Sequence, residues 1–299
     1  MNALPKEIVN HIFYFTENNI FELSLVNHYF NDNLAAIRIV NNEKYRSMED
    51  HHILKLTNLQ SLDLPGDDPM KQYKNKITNE GIDNITIGNF ISLNLEFNET
   101  IISISRLTNL IELNLSCNDM LADSDLNNLT NLTNLNLSCN DMITDKSVSK
   151  LTNLTHLDLT GNYRITLQCL KSLPKLVSIV TWSDPNGIST VAENVGELHN
   201  LTALRIMNNN SITDDTIKKL TKLKTLSIDY LITNEGISDL TNLTDLGVFF
   251  NKDVTDKGIS NLVNLESIMI KKNGPINEQG LSHLTNLTNI RYYKINGHY

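Results

Sequence analysis

Very little in this chain can carry chemistry. Three cysteines in 299 residues cannot build a disulfide framework, and so low and odd a count points to a reducing compartment. Glycine is sparse, at 12 residues, and no glycine-rich phosphate loop occurs. No Cys/His set has zinc-ligand spacing. No apolar run approaches the roughly 20 residues that span a bilayer. Positive charge is also short: 25 Lys and Arg against 34 Asp and Glu leave a net charge of −9. Such a surface repels phosphate, so neither nucleic acid nor an anionic membrane is expected as partner. Lys6, Glu7, Asn10 and His11 interrupt the opening apolar stretch, and no basic n-region or small-residue cleavage site accompanies it, so a secretory signal peptide is not expected. Asn-x-Ser/Thr sequons recur from Asn84 to Asn286, a density that fits the cytosol better than a secretory pathway.

One constellation imitates a thiol catalyst. Cys139, His156 and Asp158 are the right residue types. However, His156 and Asp158 share one strand face, whereas Cys139 falls at the far end of the neighbouring strand. At about 3.3 Å per residue the thiol and imidazole lie more than ~10 Å apart, beyond proton-transfer reach. A non-catalytic protein without cofactor or metal is expected. Cys117 and Cys139 hold one slot in adjacent repeats, as small residues that suit a turn.

What the chain has instead is repetition. "LTNLIELNLSCN", "LTNLTNLNLSCN" and "LTNLTHLDLTGN" are followed by looser copies as far as "LTNLTNIRY". The middle apolar residues are Leu62, Leu93, Leu113, Leu135, Leu157, Ile179, Leu204, Leu226, Leu246, Ile268 and Ile290, with 22 residues as the commonest step. This resembles the leucine-rich repeat, L-x-x-L-x-L-x-x-N, with a period of about 20 to 29 residues. The longest step contains "PGDDPMKQYKNK", read as a surface loop. Alternation in L-x-L implies a short strand with one buried face. Asn98, Asn118, Asn140, Asn162, Asn209, Asn251 and Asn273 follow the strands, where their amides can satisfy turn backbone and bridge successive coils. "ITDKSVSKL" and its relatives offer Thr, Asp or Asn as helix N-caps. The segments "LVSIVTWSD" and "LSIDYL" lack the Asn, so irregular turns are expected there.

One coil cannot bury its own leucines, but stacked coils can. The expected fold class is therefore α/β: a curved leucine-rich-repeat solenoid of about eleven repeats over residues 51–299, with a parallel sheet inside and short helices outside. Residues flanking the strand leucines face the concave side. In the early coils these are short and polar, such as Asn114, Asn134 and Asn136. From the sixth coil they change to Trp182, Arg205, Met207, Phe249, Met269, Lys271, Arg291 and Tyr293, flanked by Tyr230 and Phe250. Aromatics, Met and Arg are enriched at hot spots, so these residues are the expected client-binding site.

Residues 1–50 are different. In "LPKEIVNHIFYFTENNIFELSLVNHYFND" the second half is apolar on almost every helical side and must be buried all round. "AAIRIV" (35–40) can cap the first coil with one face only, and a segment of about 45 residues cannot bury the others itself. The stretch resembles an F-box in its Leu4-Pro5 opening, Ile8, Ile12, Leu23, Leu25-Val26-Asn27 and Phe30, with Asn19 in place of the usual acid and Tyr45 in place of the usual Trp. The resemblance implies a small helical module that docks on the Skp adaptor of a cullin–RING ubiquitin ligase, while the repeats choose the client. Leu4, Pro5, Ile8, Ile12, Leu23, Val26 and Phe30 would form the adaptor surface and its support. The chain would then be a cytoplasmic substrate receptor, in a host cytosol if it comes from an intracellular bacterium or virus, and a monomer outside the complex. The repeats are also similar to those of bacterial internalins. The alternative is a plain recognition protein or effector that sequesters one partner, with the N-terminal helices acting only as a cap.

Overall fold

An extended strand with alternate leucines can bury only one face, and each L-x-L phrase of the chain forms such a strand. A computed structural model describes residues 37–39, 49–53, 59–64, 76–85, 90–182, 191, 194–207 and 211–293. The seven residues expected to form the adaptor surface, Leu4 to Phe30, lie outside these. The strands are β1 (Ile37–Ile39), β2 (Leu59–Asp63), β3 (Ser92–Asn94), β4 (Glu112–Asn114), β5 (Asn134–Asn136), β6 (His156–Asp158), β7 (Ser178–Trp182), β8 (Ala203–Met207), β9 (Thr225–Ile228), β10 (Asp245–Val248), β11 (Ser267–Lys271) and β12 (Asn289–Tyr293).

The chain divides into two units, Met1–Leu132 and Thr133–Tyr299. In the first, β1 to β4 pair in parallel and in chain order. In the second, β5 to β12 do the same. Register matches the repeat phase: Leu93 pairs with Leu113, Leu135 with Leu157, Leu226 with Leu246 and Ile268 with Ile290. All these middle residues are buried from Leu62 to Ile268, at about 1.5–3 kcal/mol of stabilisation for each leucine. Ile290 is the exception, 41% exposed on β12.

Short helices follow the strands, among them Asp145–Val148, Asp214–Ile217, Asn234–Ile237 and Asp256–Ile259. Val148 with Leu151 and Ile259 with Leu262 turn one apolar face inward, as their spacing implies. The N-cap is Thr or Asn: the hydroxyls of Thr144, Thr233 and Thr255 accept the N–H of Lys146, Glu235 and Lys257, and the amide oxygen of Asn277 accepts those of Gln279 and Gly280. The acid or amide after it serves the next coil instead. Asp145 accepts both the N–H and the hydroxyl of Thr166, Asp214 does so for Thr233, and Asn234 for Thr255. This spine leaves no room above it: a Cβ on Gly236 would sit 2.3 Å from Asp214 Oδ1.

A second spine runs along the turns after the strands. Asn118 donates to the carbonyls of Leu95 and Asn98 and accepts the N–H of Met120 and Leu121. Asn162 does the same with Leu137, Asn140, Arg164 and Ile165, and Asn251 with Asp229, Ile232, Asp253 and Val254. All three are buried. The residue before each ladder Asn takes a left-handed backbone: Phe97, Cys117, Cys139, Gly161 and Phe250, with φ from 48 to 64°. That conformation is why small residues recur there. Asn273, expected to extend the ladder, does not. It is exposed and is itself left-handed, with φ 60°. The positive φ has moved one residue along, from the residue before the Asn to the Asn itself. In "LSIDYL" the ladder slot holds Leu231, 43% exposed, and the amide of Asn251 satisfies that turn from the next coil.

Candidate functional site

Along the outer face of the second unit, the residues flanking the buried leucines stand in rows. Val180, Arg205, Ser227, Gly247, Met269 and Arg291 are consecutive register partners. The next row begins with Trp182 opposite Met207 and ends with Lys271 opposite Tyr293. The small residues of the first row have a consequence. A Cβ on Gly247 would lie 2.6 Å from Phe249 Cε2 and 3.0 Å from Ser227 Oγ. The Phe249 ring therefore lies close over Gly247, where a side chain would force the ring to move, and Ser227 in the same row is buried.

Tyr293 packs against this ring, with centroids 5.4 Å apart, and against Phe250 at 5.5 Å. Phe250 in turn stacks on Tyr230 at 6.0 Å. Tyr293 reaches back across the intervening β11, and its hydroxyl oxygen accepts the Phe250 N–H at 2.5 Å. In regular coils that N–H meets a carbonyl of the next coil: Phe97 donates to Ser116, and Cys139 to Thr160. The phenol thus takes a carbonyl's place where the ladder stops. Burial pushes the phenol of Tyr293 above its ordinary value of 10.0, with the Phe250 N–H pulling the other way. Tyr230 and Phe250 remain 49% and 45% exposed.

In the thiol constellation, Asp158 accepts the Thr160 N–H. Cys139 sits at a left-handed turn with Sγ 2.9 Å from where a Cβ on Gly161 would be, and His156 Nδ1 bonds the Thr155 hydroxyl at 2.8 Å. Cys169 is buried, its thiol pushed up to about 12 by burial and by the nearby charge of Asp145. Among the described residues, no group of three or more His, Cys, Asp or Glu could hold a metal ion, and no helix is long and apolar enough to cross a membrane.

Comparison with known proteins accords with the geometry. The family described as Leucine Rich repeat matches residues 106–126, 128–152, 150–168 and 197–221. These are leucine-rich repeats. Among solved structures, the internalin InlF of Listeria monocytogenes is similar at 22% identity and TM-score 0.51, over 97% of this chain and 94% of that one. A chain of the yeast Rad7–Elc1 complex is similar at 19% identity and TM-score 0.58, over 97% and 86%. At such identities the likeness is one of fold. No curated protein matches the chain.

Of the residues expected to bind a client, the leucine-rich-repeat scaffold joins Phe249 and Tyr293 directly and sets Met269 beside Arg291 and Lys271 beside Tyr293. Arg205, Lys271 and Arg291 are exposed, and Met207 and Met269 half-buried. Trp182 is the backbone partner of Met207; its side chain lies outside the described residues. The close approach of Phe249 to Gly247 has no signal in the repeat pattern, although "DLGVFF" against "TLSIDY" puts the small residues opposite one another.

Proposed function

We propose that the chain is a non-catalytic recognition subunit: a protein client binds the outer sheet face of the C-terminal repeats, and residues 1–50 dock on the Skp adaptor of a cullin–RING ubiquitin ligase in the cytoplasm. Residues 51–299 then form the client-binding domain, with Trp182, Arg205, Met207, Phe249, Met269, Lys271, Arg291 and Tyr293 as its contacts. The observation that carries the client half is the Phe249–Tyr293 pair on a sheet face, where water would otherwise select short polar residues. The adaptor half rests on the motif from Leu4 to Phe30. The yeast likeness is a chain crystallised in a two-protein complex, Rad7 with Elc1, and is a likeness of fold only.

A second reading has one observation in its favour. Ile37–Ile39 pairs in parallel with β2, so the segment after the motif continues the sheet, as a simple solenoid cap would. One experiment separates the two. Purified full-length chain should capture purified Skp, and Leu4→Ala with Pro5→Ala should abolish capture with an unchanged thermal melt. Capture that survives the double substitution, or that never occurs, leaves the capping reading.

A further inference from the structure

We infer that the break in the asparagine ladder is itself a binding site, and that Tyr230, Phe250 and Tyr293 receive an apolar anchor of an acidic peptide segment. The inference rests on the outer sheet face being the client side, and names what that side reads.

Three observations converge. First, the aromatic surface is maintained against a local cost. A bulky residue at φ 48° is strained; the equivalent slot holds Cys117, Cys139 or Gly161 in three other coils and Phe97, which is half-buried, in a fourth. At Phe250 the chain keeps a large ring there and leaves it 45% exposed. Second, the site is preorganised. The stack on Tyr230 and the bond from the Phe250 N–H to the Tyr293 hydroxyl hold the rings before any ligand arrives.

Third, four cations border the rings in a chain whose net charge is −9, against one exposed acid there, Asp253 beside Lys252. Lys271 is the register partner of Tyr293, Arg291 stands two residues before it, the Lys272 N–H bonds its carbonyl, and Lys252 follows Phe250 by two. All four are exposed, and among the described residues none pairs with a carboxylate; Arg291 bonds only the Ser267 hydroxyl. Unpaired cations around exposed rings complement carboxylates set beside an apolar side chain. A cationic ligand is the wrong sign. The rings also touch one another, which leaves no aromatic cage for an ammonium group.

The test is selection of a random dodecapeptide library displayed on phage against the full-length chain, followed by fluorescence anisotropy of the selected peptide. Expected are sequences with Asp or Glu flanking Phe, Trp or Leu, bound more weakly as salt rises. Phe250→Gly removes the ring while keeping a backbone suited to φ 48°, and should weaken binding about tenfold or more. Lys271→Glu with Arg291→Glu should do the same, whereas Asn136→Ala should change nothing. The inference is overturned by neutral or basic selected peptides, by no binder at all, by binding indifferent to Phe250→Gly, or by oligothymidine binding with the same dependence on the cationic rim. Peptides that bind but ignore these substitutions would leave the client reading standing elsewhere on the face. Skp capture fails or succeeds independently of every arm.

Discussion

The coils around Asn118 and Asn162 and those between Tyr230 and Tyr293 are written in nearly the same phrase and behave differently. In the former, a buried amide closes each turn, a small residue takes the left-handed slot, and the outer face carries short polar side chains. In the latter, Leu231 and Asn273 fail to supply the amide, a phenylalanine takes the left-handed slot, and a tyrosine hydroxyl substitutes for a carbonyl. Buried leucines of the same repeat pattern underlie both. A repeat array thus separates its stability from its recognition: inward positions stay uniform, and a departure at one turn becomes surface that the next coils can decorate.

Removing a working ladder residue should break the comparison most severely. Asn162→Ala strips two carbonyls and two N–H groups of their buried partner and should cost about 3 kcal/mol in urea unfolding. Asn273→Ala, at the exposed failed rung, should cost less than about 0.5 kcal/mol. Equal costs would mean the ladder does not end where described. Next in size, Gly236→Ala should cost about 2 kcal/mol by driving a methyl into Asp214, and the cost should shrink in an Asp214→Ala background if the helix-side spine is the cause.

Tyr293→Phe sharpens the other side of the comparison. It loses the acceptor for the Phe250 N–H and should cost below about 1 kcal/mol, because water can replace it at an exposed turn. The same substitution should flatten the alkaline limb of stability. The folded phenol keeps its proton above the ordinary value of 10.0, whereas the unfolded one releases it there. The folded state then binds more protons, so stability falls as pH rises through that window. The smallest effect is chemical. A maleimide should label exposed Cys139 in the native protein, whereas Cys169, buried and pushed up to about 12, should react only on unfolding.

Legibility followed physical cause. The eleven middle residues from Leu62 to Ile290 all fall in strands, because alternation and period both report one-sided burial. Cys117 and Cys139 were readable as turn residues, and the left-handed φ supplies the reason. Asn273 misled because the letter persists while the turn geometry does not. The exchange between Asp214 and Thr233 was hidden for another reason. Within one repeat an acid after threonine looks like a cap, and its partner appears only when the next coil is laid beside it. The pairing of Phe249 with Tyr293, residues on β10 and β12, likewise depends on side chains leaning across a strand, which no within-coil pattern encodes.

Amide hydrogen exchange on the full chain, with and without the selected acidic peptide, tests the central claim most directly. Added protection should concentrate at the Phe249–Asn251 turn and along β12 up to Tyr293, where the Phe250 N–H already has its phenolic partner. The matching turns at Cys117–Asn118 and Cys139–Asn140 should be unchanged. Protection at those regular turns instead, with none between Phe249 and Tyr293, would contradict the account.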